Sequence, residues 1–156
     1  MKIINIGGKD YTFEFTIEAS LYKDCAENIS NLMISAMDAS NREDIKAVIS
    51  SITDIPYTAL TMFYAGLMEH HGKDGDGTIL NIGDAKKLIK TYFNEHKDDD
   101  TGNFYGIMEL MMQCMADDDF FKQIGLEQMM KQSEQSEKKP KTPTDHKKKS
   151  VNRTGN

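Results

Sequence analysis

Two short alternating runs, Ile3 to Ile6 and Tyr11 to Phe15, flank the dipeptide Gly7-Gly8. Positive φ carries no Cβ penalty in glycine, so Gly-Gly suits the two-residue turn of a β-hairpin. Tyr11, Phe13 and Phe15 lie two apart and share one face of their strand. A hairpin this small is not stable alone in water and needs a cover for its apolar face. The helix that opens near Thr16 is the nearest cover, and the Thr16 hydroxyl is placed to accept a bond from an orphan backbone N–H.

Helical spacing dominates the rest. Ile17, Leu21, Cys25, Ile29, Leu32, Met33 and Ala36 recur at three- and four-residue steps and predict one apolar stripe on a helix running to about Met37. Ser40 or Asn41 opens a shorter second helix with Ile45, Val48, Ile49 and Ile52 inward. Pro56 sits near the start of a third, where its missing N–H costs little. Tyr57, Leu60, Phe63, Tyr64 and Leu67 form that helix's apolar face, His70-His71 fall in its last turn, and Gly72 ends it. After a polar loop, Asp84 caps a fourth helix through Leu88, Ile89, Tyr92 and Phe93. A fifth covers about Asn103 to Met115 and a sixth Phe120 to about Ser133, the latter weakened by Gly125. The fold class is mainly α: an N-terminal β-hairpin on a small bundle of five to six helices, with a disordered C-terminal tail.

Charge divides the chain. Residues 1–137 carry 12 Lys/Arg against 24 Asp/Glu, a balance of −12, whereas residues 138–156 carry 7 against one, a balance of +6. From Gln132 onward Ser, Glu, Gln, Lys, Pro and Thr dominate and leave too little apolar surface to offset chain entropy. The organisation is therefore a domain over 1–133 and a disordered basic tail over 134–156. No run reaches the roughly 18 apolar residues of a membrane span, and the opening Met-Lys-Ile-Ile-Asn lacks the apolar core of a signal peptide. Both features point to a cytosolic protein.

Chemistry-bearing residues are few. Cys25 and Cys114 occupy apolar helical positions with no CxxC spacing, the pattern of buried free thiols. Lys73-Asp74-Gly75-Asp76-Gly77-Thr78-Ile79 matches the middle of a calcium loop, yet Gly72 and Gly83 stand where the first and closing carboxylates belong. A polar Asp-Gly turn is the plainer account. Adjacent His70 and His71 point about 100° apart on a helix and read as imidazolium caps of its C-terminus, rather than as a shared ligand pair. The triplets Asp98-Asp99-Asp100 and Asp117-Asp118-Asp119 suit helix ends better than metal sites. No nucleophile–base pair and no phosphate-cradling loop can be assembled. The sequence predicts no catalytic residue, no metal and no cofactor, hence no enzyme.

Met108, Met111, Met112, Met115, Met129 and Met130 place six of eleven methionines in the last two helices, with Phe120 and Phe121 between the clusters. Flexible, polarizable methionines fill cores, and they also line grooves that receive a partner's helix. Sequence alone leaves both readings open, and these eight residues are the candidate partner-binding set. Lys138, Lys139, Lys141, Lys147, Lys148 and Lys149 are a candidate contact in the tail. No aromatic is interleaved among them for base stacking, so nucleic acid is not the expected partner.

The opening carries a resemblance as well. Tyr11-Thr12-Phe13-Glu14-Phe15 followed by Ile17-Glu18-Ala19-Ser20, after a Gly-Gly hairpin, resembles the tail assembly chaperones of long-tailed phages of Gram-positive bacteria. The likeness covers roughly residues 1–131 and extends to the layout of hairpin, helices, acidic body and basic tail. It implies a host-cytoplasmic protein absent from the mature virion. Such a protein coats the helical tape measure protein and helps recruit tail-tube protein. The resemblance further implies a longer form of the same chain made by ribosomal frameshift near its end, with no membrane contact. A small cytosolic adaptor or regulator with no assembly role is the alternative.

Overall fold

A computed structural model describes residues 1–25, 27–31 and 45–128, with side chains described from residue 53 onward in the last stretch. The chain is mainly helical with an N-terminal antiparallel hairpin, as the patterning predicts. β1 (Lys2–Ile6) pairs with β2 (Lys9–Phe13), Ile6 facing Lys9, Ile4 facing Tyr11 and Lys2 facing Phe13. Gly7 and Gly8 have φ of 64° and 75°. Two successive positive φ values give the turn whose twist matches the flanking strands. Tyr11, Phe13 and Phe15 are all buried.

The helices are α1 (Ile17–Leu21), α2 (Ile45–His71), α3 (Ile82–Glu95), α4 (Phe104–Asp117) and α5 (Phe120–Gln123). A further helical stretch covers residues 23–25 and 27–31. The cover of the hairpin is α2 rather than the helix that succeeds it in the chain. Phe13 meets Phe63 edge-on at 4.8 Å between ring centroids. The Glu14 N–H donates to the Gly66 carbonyl at 2.9 Å. A Cβ at Gly66 would lie 2.9 Å from Cζ of Phe15 and 3.2 Å from Cδ1 of Phe13, so the bare glycine lets both rings reach the helix backbone. The chain just past β2 is thereby tied to the backbone of α2.

α2 is the hub. Residues Thr58 to Phe63 are consecutively buried, and β2, α1, α3 and α4 all pack on this helix. A helix apolar on all sides is one surrounded on all sides. This explains the departures from the single-stripe expectation. The second and third helices are one, running through Pro56, with Ile45 to Ile52 described in backbone only. An interior proline costs about 3 kcal/mol, and packing around the succeeding four turns offsets it. Tyr57, expected inward, is 53% exposed, because the buried set begins one residue later.

The first stripe also breaks. Tyr22 is extended at ψ 90°, which ends α1 after five residues, before the helical residues 23–25 and 27–31. Ala19, Cys25 and Ile29 are buried, while Ile17 and Leu21 face solvent. Leu32, Met33, Ala36 and the Ser40 or Asn41 cap lie outside the described residues. Thr16 occupies the N-cap position, but its hydroxyl donates to Glu69 of α2 instead of capping α1. Asn81, not Asp84, caps α3, its Oδ1 accepting the N–H of Gly83 at 2.8 Å. Asn103 caps α4 in the same way, accepting from Gly106 at 3.0 Å. Gly125, with φ of 75°, ends the sixth expected helix early, leaving α5 and a helical stretch at 126–128.

Candidate functional site

Of the two readings left open for the methionines, core filling is the one the described residues show. Met111, Met115 and Phe120 have no exposed surface, and Met108, Met112 and Phe121 are partly buried against the same core. Among the described residues α4 makes its most extensive contact with α2, and Ile107, Met111, Cys114 and Met115 are its buried side chains. Met129, Met130 and the tail lysines Lys138, Lys139, Lys141, Lys147, Lys148 and Lys149 lie outside the described residues.

Of the histidines and aspartates singled out by sequence, His70, His71, Asp76 and Asp118 bond near helix ends. His70 Nε2 lies 2.6 Å from the Glu14 carboxylate. His71 is buried, and its Nε2 accepts the Thr12 N–H at 2.9 Å. A ring nitrogen that accepts a hydrogen bond carries no proton, so the proton sits on Nδ1, 2.9 Å from Oδ2 of Asp76. His71 is thus a neutral bridge from helix end to hairpin, not the imidazolium cap expected of it. The other carboxylate oxygen of Asp76, Oδ1, accepts the N–H of Thr78 at 2.9 Å and its hydroxyl. Among the described residues no group of three or more His, Cys, Asp or Glu is arranged to hold a metal ion. Asp118 accepts the Phe15 N–H at 2.9 Å and ties the end of α4 to the hairpin.

Burial pushes the Cys25 thiol up to about 12 and raises that of Cys114 as well. Both are free and buried, so neither supplies the thiolate a nucleophile requires. No helix among the described residues is long and apolar enough to cross a membrane.

A groove of about 620 Å³ stays open between α2 and α3, closed at one end by the start of α4. Leu60 and Ile89 form its floor and are both buried. Pro56 and the half-exposed Tyr57 make the α2 wall. On the other side Phe93 stands edge-on to Phe104 at 5.0 Å. Lys86 and Lys90 sit on the rim, both exposed. The third lysine of α3, Lys87, pairs with Asp84 at 3.0 Å, whereas neither rim lysine has an ion-pair partner among the described residues. The sequence carried a partial signal. Ile89 and Phe93 lie four apart, as do Lys86 and Lys90, so adjacent ridges of one helix present an apolar row and a basic row. Only the placement of α2 turns those rows into a groove. Set against models of protein families, curated proteins and solved structures, the chain matches none of them.

Proposed function

We propose that this chain is a non-catalytic protein-binding module that acts as a phage tail assembly chaperone. It holds an apolar helical stripe of the tape measure protein in the α2–α3 groove until tail-tube protein assembles around it. The observation that carries this reading is the open apolar groove, with rim lysines that have no ion-pair partner among the described residues. A contiguous apolar recess at the surface of a small acidic body is the feature expected of a surface that receives another protein. The likeness of residues 1–131 to the chaperone family supplies the client's identity. On this reading the protein works in the host cytoplasm, touches neither nucleic acid nor membrane, leaves before the virion matures, and has a longer frameshifted form.

The test is to express the chain with an N-terminal tag, from its native DNA, in infected or induced host cells and to identify by mass spectrometry what co-purifies. A long helical protein, a tube subunit and an extended form of the chain are the expected set. Many copies along one elongated client fit a chaperone. One folded partner at equal stoichiometry, without tail proteins, overturns that reading in favour of an adaptor.

A further inference from the structure

The groove is selective in charge. Residues 1–137 carry twice as many acidic as basic residues, yet three of their twelve basic residues fall within the five positions 86–90. Lys87 is neutralised by Asp84, while Lys86 and Lys90, beside the apolar floor, have no ion-pair partner among the described residues. Being four apart on α3, the two lysines leave the helix about one turn apart, a rise of about 6 Å along its axis.

The shape is selective as well. The floor is built from helix side chains, and a strand laid across it would leave its own N–H and C=O groups facing apolar surface, which is costly. A helix satisfies those groups internally and brings anchors at i, i+3, i+4 and i+7 into such a recess. The groove is also open to solvent, whereas a small apolar molecule needs most of its surface enclosed. The basic segment 138–156 of the chain has the wrong sign for this rim.

We infer that the occupant of the groove is an amphipathic helix of a partner protein, with bulky apolar residues facing Leu60, Ile89 and Phe93. Asp or Glu side chains one turn apart on its flank pair with Lys86 and Lys90. This rests on the groove being the client-contact surface and adds which segment of a client it selects.

The experiment is an anisotropy titration of the full chain with a fluorescein-labelled synthetic helix. The peptide carries leucines at i, i+3, i+4 and i+7 and glutamates along one flank, and a matched peptide carries lysines in place of the glutamates. The glutamate peptide binds at least about tenfold tighter, and the Lys86→Glu/Lys90→Glu variant reverses that order. Both side chains are exposed, so the variant keeps its circular dichroism spectrum. Tyr57→Asp, at an exposed wall position, weakens the glutamate peptide.

Equal binding of both peptides, an order unchanged by the double reversal, or indifference to Tyr57→Asp overturns the inference. So does uptake of dodecanoate with no binding of either helix, which assigns the groove to a small apolar anion. Capture of a tape measure protein that is insensitive to Lys86→Glu/Lys90→Glu overturns this inference and leaves the chaperone reading intact. Charge-ordered peptide binding without such capture supports the inference and removes the chaperone reading.

Discussion

Two helix ends in this molecule are built from the same three side chains and do different things. At the end of α2, His71 Nδ1 meets Oδ2 of Asp76, and Oδ1 of Asp76 accepts the N–H and hydroxyl of Thr78. At the end of α3, His96 Nδ1 lies 2.8 Å from Oδ2 of Asp99, and Oδ1 of Asp99 accepts the N–H of Thr101 at 2.8 Å as well as its hydroxyl. Both are turns of the form Asp-x-Thr reaching back to a histidine. The difference lies at the other ring nitrogen. His71 is buried, edge-on to Tyr11 at 5.2 Å, and holds the Thr12 N–H of the hairpin. His96 lies over Tyr92 of its own helix at 4.2 Å and stays partly exposed. One local device therefore serves once as a tertiary clasp and once as a helix terminator.

The comparison breaks first on stability. His71→Ala leaves the half-buried Thr12 N–H without its partner and is expected to cost about 2 kcal/mol in denaturant unfolding. His96→Ala is expected to stay within about 0.5 kcal/mol, as surface substitutions do. Equal losses would show that the turn, not the clasp, is what matters.

A smaller effect separates the hydroxyls. Thr78→Val keeps the side-chain shape and removes one hydrogen bond, at about 1 kcal/mol. Thr78→Val should also speed exchange of the Thr12 amide through the shared histidine. Thr101→Val should leave that amide unchanged, and hydrogen exchange measured by NMR decides this.

The third test reads the rings themselves. Long-range 1H–15N correlation should find His71 at neutral pH as one tautomer, protonated on Nδ1. A mixture of tautomers in His71 would remove the clasp.

The last and smallest prediction concerns what the two ends share. The Thr78 hydroxyl, with lesser help from His71, holds the Asp76 carboxyl at about 2, and the Thr101 hydroxyl and His96 hold Asp99 at about 2. Both lie below the unfolded value of about 3.9. Each contribution is then complete above about pH 4 and is lost as pH falls through about 2. Solvent screens both exposed carboxylates, so the effect on stability is small. Carboxyl 13C titration should place both well below an ordinary aspartate, and either one found near 3.9 would show that its turn is not formed in solution.

Much of the fold was legible beforehand, and the misses share a cause. Alternation in Tyr11 to Phe15 and the Gly7-Gly8 turn specify the hairpin locally, and the register comes with them. Helical spacing locates α3 and α4 to within a few residues. Sequence spacing does not show which helix reaches which face. The partner of Phe13 is Phe63, fifty residues away, and Met111 and Met115 are buried on α4, a helix that packs on α2. The same blindness hid the groove, whose basic and apolar rows on α3 are readable but whose opposite wall is not.

Local residue preferences specify the hairpin, the helical character, the separation of an acidic body from a basic segment, and the supply of short polar residues for turns. These depend on φ preference, periodicity and charge, which act over a few residues. Contacts between distant segments make α2 the hub, make His71 a clasp and not His96, and set Lys86 and Lys90 beside an apolar recess. Each of those depends on long-range packing, in which a side chain's role is set by whatever surface the rest of the chain brings against it.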